Sequence, residues 1–200
     1  QQVDAMHDVR FTAAPASASW AYGDLNNFWR RRPVMGTLSL PNTALLPNPL
    51  TPEFADDVFL SFTGTSAWNV DNLTVSNCTV SFAGNGFLLR ITNNLRVTAA
   101  GDLGIGGDSS GSNCMLAVGG SLLLTNGGNL YAYAGITNDT PNAWGVLVAV
   151  TDNFTVAPGS WVYPASHEVN GGAAVFRISN LTIQAGAGFN ADAKGFALRT

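Results

Sequence analysis

Two hundred residues suit one domain, and 46% hydrophobic residues provide material for a core, which excludes general disorder. Charged residues make up only 11% of the chain and the formal net charge is -4, a balance that argues against a phosphate-binding, nucleic-acid surface. No uninterrupted apolar run approaches the roughly 18 residues that a membrane span needs.

The chain starts "QQVDAMHD", with neither a basic nor an apolar region of a signal peptide, as a mature chain after cleavage also would. Residues 1–55 hold most of the prolines and follow no repeat, so they are expected to form an N-terminal capping segment. Within them "GDLNNFWRRR" predicts a short amphipathic helix. Asp24 is its N-cap, Leu25, Phe28 and Trp29 its apolar face, and Arg30, Arg31 and Arg32 its C-terminal cations. The arginine triplet is read as a helix end in preference to an anion site.

Residues 56–200 behave differently. The phrase "NLTV" at Asn72 returns as "NLRV", "SLLL", "NFTV" and "NLTI", with its first apolar residue at Leu73, Leu95, Leu122, Phe154 and Leu181. Recurrence on this scale signals a solenoid. Two residues after each stand Val75, Val97, Leu124, Val156 and Ile183, the alternation of a half-buried strand. A second strand carries Leu103, Leu130, Val162 and Phe189, with Val80 and Phe82 slightly displaced in the first copy. A third carries the inward pairs Leu89 and Ile91, Leu116 and Val118, Val148 and Val150, and Phe176 and Ile178. An earlier copy lies in "DDVFLSFTGTSAWNVDN". Three short strands per turn, with apolar columns about 4.8 Å apart, describe an all-β parallel β-helix solenoid of about six three-strand coils.

Asn72, Asn94, Asn153 and Asn180 fall at one corner, where left-handed backbone and amides bonding along the stack are expected. Asn72, Asn153 and Asn180 also begin sequons, as do Asn77 and Asn138, and the corner role is preferred to glycosylation. Cys78 and Cys114 are the only cysteines and are read as small buried side chains, with one disulfide as the alternative. The sequence stops at a third strand with Phe196 and Leu198 in the inward register. Such an edge is covered by a partner, used for polymerisation, or left by truncation of a longer chain.

The repeat resembles the right-handed parallel β-helix proteins of bacterial surfaces and secretions, which include pectate-lyase-like enzymes, autotransporter passengers and large adhesins. The copy "NLTIQAGAGFNADAKGF" looks like the "xLTIxxGaxixAdGkGy" coils of large surface proteins, and departs from them at Ala193 where they place Gly. The resemblance covers residues 56–200 and implies architecture more than activity.

Enzymes on such a scaffold need clustered carboxylates or a Lys or Arg base. Asp102, Asp108, Asp139, Asp152, Glu168 and Asp192 form no close metal-type cluster, and Arg90 and Arg177 share an outward column three coils, roughly 14 Å, apart. No catalytic residue, metal or cofactor is therefore expected. His7 and His167 are read as surface residues. The aromatic residues are more pointed: Tyr131 and Tyr133 face outward on one coil, Trp161 and Tyr163 on the next. The variable loops "GGDSSGSN", "GITNDTPNAWG" and "ASHEVNGG" share one edge and bring Trp144, Asp139, His167 and Glu168 towards that strip. Such a surface suits a sugar, or else is a satellite core or a subunit contact.

These observations lead to the expectation of a non-enzymatic extracellular or cell-surface structural or adhesive protein, self-associating through its uncapped C-terminal coil or contacting a surface partner. The alternative is a carbohydrate-binding or polysaccharide-cleaving module. A glycan is the candidate ligand; nucleic acid and a membrane span are not expected.

Overall fold

The computed structural model describes residues 36–50, 58–82, 86–106, 114–135, 144–167, 172–192 and 195. Among them the chain is all-β. Its strands are β1 (Gly36–Leu40), β2 (Val58–Phe62), β3 (Ala67–Val70), β4 (Leu73–Ser76), β5 (Thr79–Phe82), β6 (Leu88–Ile91), β7 (Leu95–Thr98) and β8 (Asp102–Gly106). They continue as β9 (Cys114–Val118), β10 (Leu122–Leu124), β11 (Asn129–Tyr133), β12 (Val146–Val156), β13 (Trp161–Ala165), β14 (Ala174–Ile183) and β15 (Gly188–Phe189). No α-helix occurs among the described residues; the helix expected within residues 23–32 lies outside them.

The strands form two sheets, and all the strand pairs are parallel. One sheet runs β1-β2-β5-β8-β11-β13-β15. The other has two arms, β3-β6-β9-β12 and β4-β7-β10-β12, which meet because β12 and β14 are long enough to bend through a corner and serve both. Each strand thus pairs with its counterpart one pass along the chain, an arrangement compatible with a β-helix-like fold.

The register follows the repeat residue by residue. Leu73, Leu95, Leu122, Phe154 and Leu181 are successive partners, as are Val75, Val97, Leu124, Val156 and Ile183. On the first sheet Val58, Val80, Leu103, Leu130, Val162 and Phe189 form another column. Except for Leu181 and Ile183, these side chains, with Leu89, Leu116 and Val148 from the other arm, make one continuous core, against which Phe189 packs half-buried. Large apolar residues recur because each pass must cover the face left bare by the one before it.

The chain passes between the first and second strands through tight turns. Gly101, Gly128, Ser160 and Ala187 each donate a backbone N–H to the residue three before, at 2.9 to 3.1 Å. Ala99 and Ala100 (φ 52° and 57°), then Asn126 and Gly127 (φ 51° and 77°), take left-handed backbone in the first two of these turns. The next two need it at one position, supplied by Gly159 (φ 77°) and Gly186 (φ 80°).

The corner asparagines correct one expectation. Among the described residues, the left-handed non-glycine positions are Asn77, Ala99, Ala100 and Asn126, not Asn72, Asn94, Asn153 or Asn180. At Asn153 and Asn180 the chain rounds that corner inside β12 and β14, so it does not need left-handed backbone there. The amides do bond along the stack: Asn72 Oδ1 accepts from Asn94 N–H at 3.2 Å, and Asn94 Oδ1 from Ser121 N–H at 3.0 Å. Asn180 Nδ2 donates to the Asp152 carbonyl at 3.3 Å.

The two ends of the stack differ. At the first, β1 covers β2, and Leu50, fully buried, bridges to Val75 with its N–H on the Thr74 carbonyl at 2.9 Å. Leu38, Leu45 and Leu46 pack beside it against the core. At the other, β14 pairs among the described residues with β12 alone, and Leu181 and Ile183 are 47% and 46% exposed, while their partners Phe154 and Val156 are completely buried. Cys78 and Cys114 are both buried and are not joined to each other; the Cys78 thiol donates to the Leu50 carbonyl at 3.5 Å.

Candidate functional site

The sequence-predicted strip lies on the outward face of the first sheet. Alternation along β11 and β13 turns Leu130, Ala132 and Val162 into the core and leaves Tyr131, Tyr133, Trp161 and Tyr163 on the other face. Tyr131 and Tyr163 are register partners, and their rings stack with centroids 4.7 Å apart and 13° between planes. Tyr133 stacks on Tyr131 at 6.0 Å and 23°.

Space for the third ring comes from a glycine. Gly104 is the partner of Tyr131 one pass earlier, and a Cβ there would stand 3.2 Å from Tyr133 Cε2 and collide with the Ser81 hydroxyl. Tyr133 therefore leans into the gap beside Gly104, and the three tyrosines form a ladder running along the stack. Trp161 uses the same device: a Cβ on its partner Gly188 would lie 3.0 Å from Trp161 Cζ3.

Stacking fixes what this surface presents. The Tyr131 and Tyr163 ring faces are turned to each other, and all four aromatic residues are half-buried, so the surface offers ring edges and hydroxyls instead of open faces. Burial pushes the Tyr133 hydroxyl well above its ordinary pKa of 10.0, with Tyr131 and Asp102 adding to the effect. Burial, then Asp102, raises Tyr163 in the same way.

Beside the tyrosines runs a polar ladder. Asp102, Asn129, Trp161 and Gly188 are successive partners on the outward face. Asn129 Nδ2 donates to Asp102 Oδ1 at 2.8 Å, Thr79 Oγ1 to Asp102 Oδ2 at 3.3 Å, and Trp161 N–H to Asn129 Oδ1 at 2.9 Å. The constant offset of Asp102, Asn129 and Trp161 from their markers was the signal for this column, although the hydrogen bonds need the folded register.

The remaining predicted residues gather less fully. Trp144 precedes β12 and carries the Arg177 guanidinium 5.0 Å from its ring centre, a cation–π contact. His167 is half-buried after β13, its backbone N–H on the Gly172 carbonyl at 2.8 Å. Asp139 and Glu168 lie outside the described residues. The segments joining the first sheet to the next arm are nevertheless anchored at one edge, because Gly106, Tyr133 and Ala165 are register partners, as are Cys114, Val146 and Ala174.

Among the described residues no group of three or more His, Cys, Asp or Glu could hold a metal ion. A shallow open groove of about 480 Å³ at the asparagine corner is lined by Asn48, Asn69, Val70, Asp71, Asn72 and Thr92. Among the described residues there is no helix long and apolar enough to cross a membrane. Comparison with known proteins finds no matching family model, no matching curated protein and no matching solved structure.

Proposed function

We propose that the chain is a non-enzymatic, extracellular structural or adhesive protein built as a parallel β-helix, which works by associating with itself or with a surface partner. The observation that carries this reading is that β14 pairs, among the described residues, with β12 alone, so that Leu181 and Ile183 stand half-exposed beside the buried Phe154 and Val156. An unpaired strand edge with apolar neighbours is a template for another chain. The abundance of Asn, Thr and Gly with few charges supports the extracellular setting. Light scattering with negative-stain imaging across a concentration series tests association. Defined oligomers or filaments, dispersed by Leu181→Asp, are expected; a monomer at every concentration sinks the reading.

A second reading, a carbohydrate-binding or polysaccharide-cleaving module, draws on the tyrosine ladder lying beside Asp102 and Asn129. Ring edges, hydroxyls and a carboxylate–amide pair can meet sugar hydroxyls along a chain. A glycan panel distinguishes it: saturable binding weakened about tenfold or more in Trp161→Ala and Tyr131→Ala supports it, and cleavage requires product. No binding to any glycan removes it.

A further inference from the structure

We propose that the Asn126–Gly127 peptide is a site of spontaneous deamidation that the stacked turn holds in check, so that opening of this turn sets the rate of conversion. The chain reads "TNGGN" here, and Asn126 is exposed at the tip of the turn between β10 and β11. Asparagine followed by glycine is chemically labile, because glycine puts no side chain in the way of the reacting atoms. Water takes the Gly127 amide proton, the nitrogen bonds to Asn126 Cγ, the Cγ–Nδ2 bond breaks, and ammonia leaves with a proton returned by the solvent. A second water then opens the five-membered succinimide at either carbonyl, giving aspartate or isoaspartate.

The folded turn opposes the first step. Asn126 and Gly127 both have positive φ (51° and 77°), and the Gly128 N–H donates to the Thr125 carbonyl at 3.0 Å, which is type I′ geometry. Ring closure needs Asn126 Cβ and the Gly127 nitrogen on the same side of the Asn126 Cα–C bond, and a type I′ turn sets them nearly opposite. Rotation into the reactive form breaks existing bonds. The Asn126 carbonyl accepts the Ala100 N–H at 2.9 Å, the Gly127 carbonyl accepts from Asn129 Nδ2 at 3.1 Å, and Asn126 Nδ2 reaches Thr98 Oγ1 at 3.5 Å. Nor can the turn move towards the preceding pass, since a Cβ on Gly128 would stand 2.3 Å from the Val97 carbonyl oxygen. Ala100, Thr98 and Val97 all belong to that pass, so the restraint comes from stacking. Conversion to isoaspartate is one-way: it adds a methylene to the main chain, and the turn can no longer close in the same register. Asn129, two residues on, then loses the placement that joins Asp102 to Trp161.

Peptide mapping by mass spectrometry, following conversion at Asn126 in mildly alkaline buffer with and without denaturing urea, tests this on the whole chain. Conversion is expected to be at least about tenfold slower in the folded protein, and to follow hydrogen exchange of the Ala100 and Gly128 amides as urea is raised below the unfolding transition. Asn129→Ala, which frees the Gly127 carbonyl, and Thr98→Ala, which frees the Asn126 amide, should each speed folded-state conversion by a few-fold. Circular dichroism checks that they fold, and the milder Thr98→Ala decides if Asn129→Ala does not. Equal rates in the folded and unfolded chain, or a folded rate indifferent to Thr98→Ala, overturn the restraint. No conversion in urea overturns the site itself.

Discussion

At the scale of single residues, burial without a partner is the most informative condition. Ser160 closes one of the turns and is fully buried, yet its hydroxyl makes no hydrogen bond, whereas its backbone N–H is bonded to the Ala157 carbonyl at 3.1 Å. A buried, unmatched hydroxyl costs about 1 to 3 kcal/mol, and removing one oxygen leaves only a small void. Ser160→Ala should therefore raise stability by about 1 kcal/mol in chemical denaturation; a lower midpoint would show that the hydroxyl is bonded in solution. Nothing in the residue types marks Ser160 as different from the small residues that close the other turns. Its condition is visible only once the stack encloses it.

At the scale of elements, the tyrosine ladder joins β8, β11 and β13 and depends on the missing side chain at Gly104. The raised ionisation of Tyr133 has a consequence for pH. Its proton is held more tightly in the folded chain than in the unfolded one, so its contribution is fully present below the ordinary tyrosine value of 10.0 and is lost as pH rises beyond it. Thermal stability should fall above about pH 10, with part of the tyrosine absorbance titration appearing only on unfolding, and Tyr133→Phe should reduce that alkaline loss. An ordinary tyrosine titration in the folded protein would contradict this burial. The alternation read from "NLYAY" and "WVYPA" placed these rings outward, which the structure bears out. That they stack on one another, and so turn edges to solvent, required the register. The third strands hold a second feature that alternation missed: Leu88, Met115, Leu147 and Val175 form an outward apolar column, and Leu147 is only 2% exposed. Runs such as "CMLAV" and "VLVAV", apolar at every position, are the mark of a strand covered on both faces.

At the scale of the whole molecule, each described strand pairs with its counterparts one pass before or after it, so the edge strands of the two sheets are unlike those in the middle. Among the described residues, β1 and Leu50 lie over β2 and β4 at one end, and β14 is paired with β12 alone at the other. The association proposed above would bind the folded chain and not the unfolded one, so by mass action the unfolding temperature is expected to rise with protein concentration. The Leu181→Asp chain should lose that dependence in calorimetry while keeping its strand signal. A temperature independent of concentration in the parent chain would speak against the proposed association.

The sequence alone determined the columns. Leu73, Leu95, Leu122, Phe154 and Leu181 could be aligned by eye because each pass must bury the same face of its neighbour, and that demand is written as recurring apolar residues at alternate positions. Only the tertiary structure decided the rest. Which corner takes left-handed backbone, that Tyr133 fills the gap at Gly104, that Asn129 links Asp102 to Trp161, and that Leu181 and Ile183 remain half-exposed all depend on neighbours 20 or more residues away. Burial leaves a periodic trace in a sequence, whereas the meeting of side chains from different passes is fixed only by the exact register in which those passes stack.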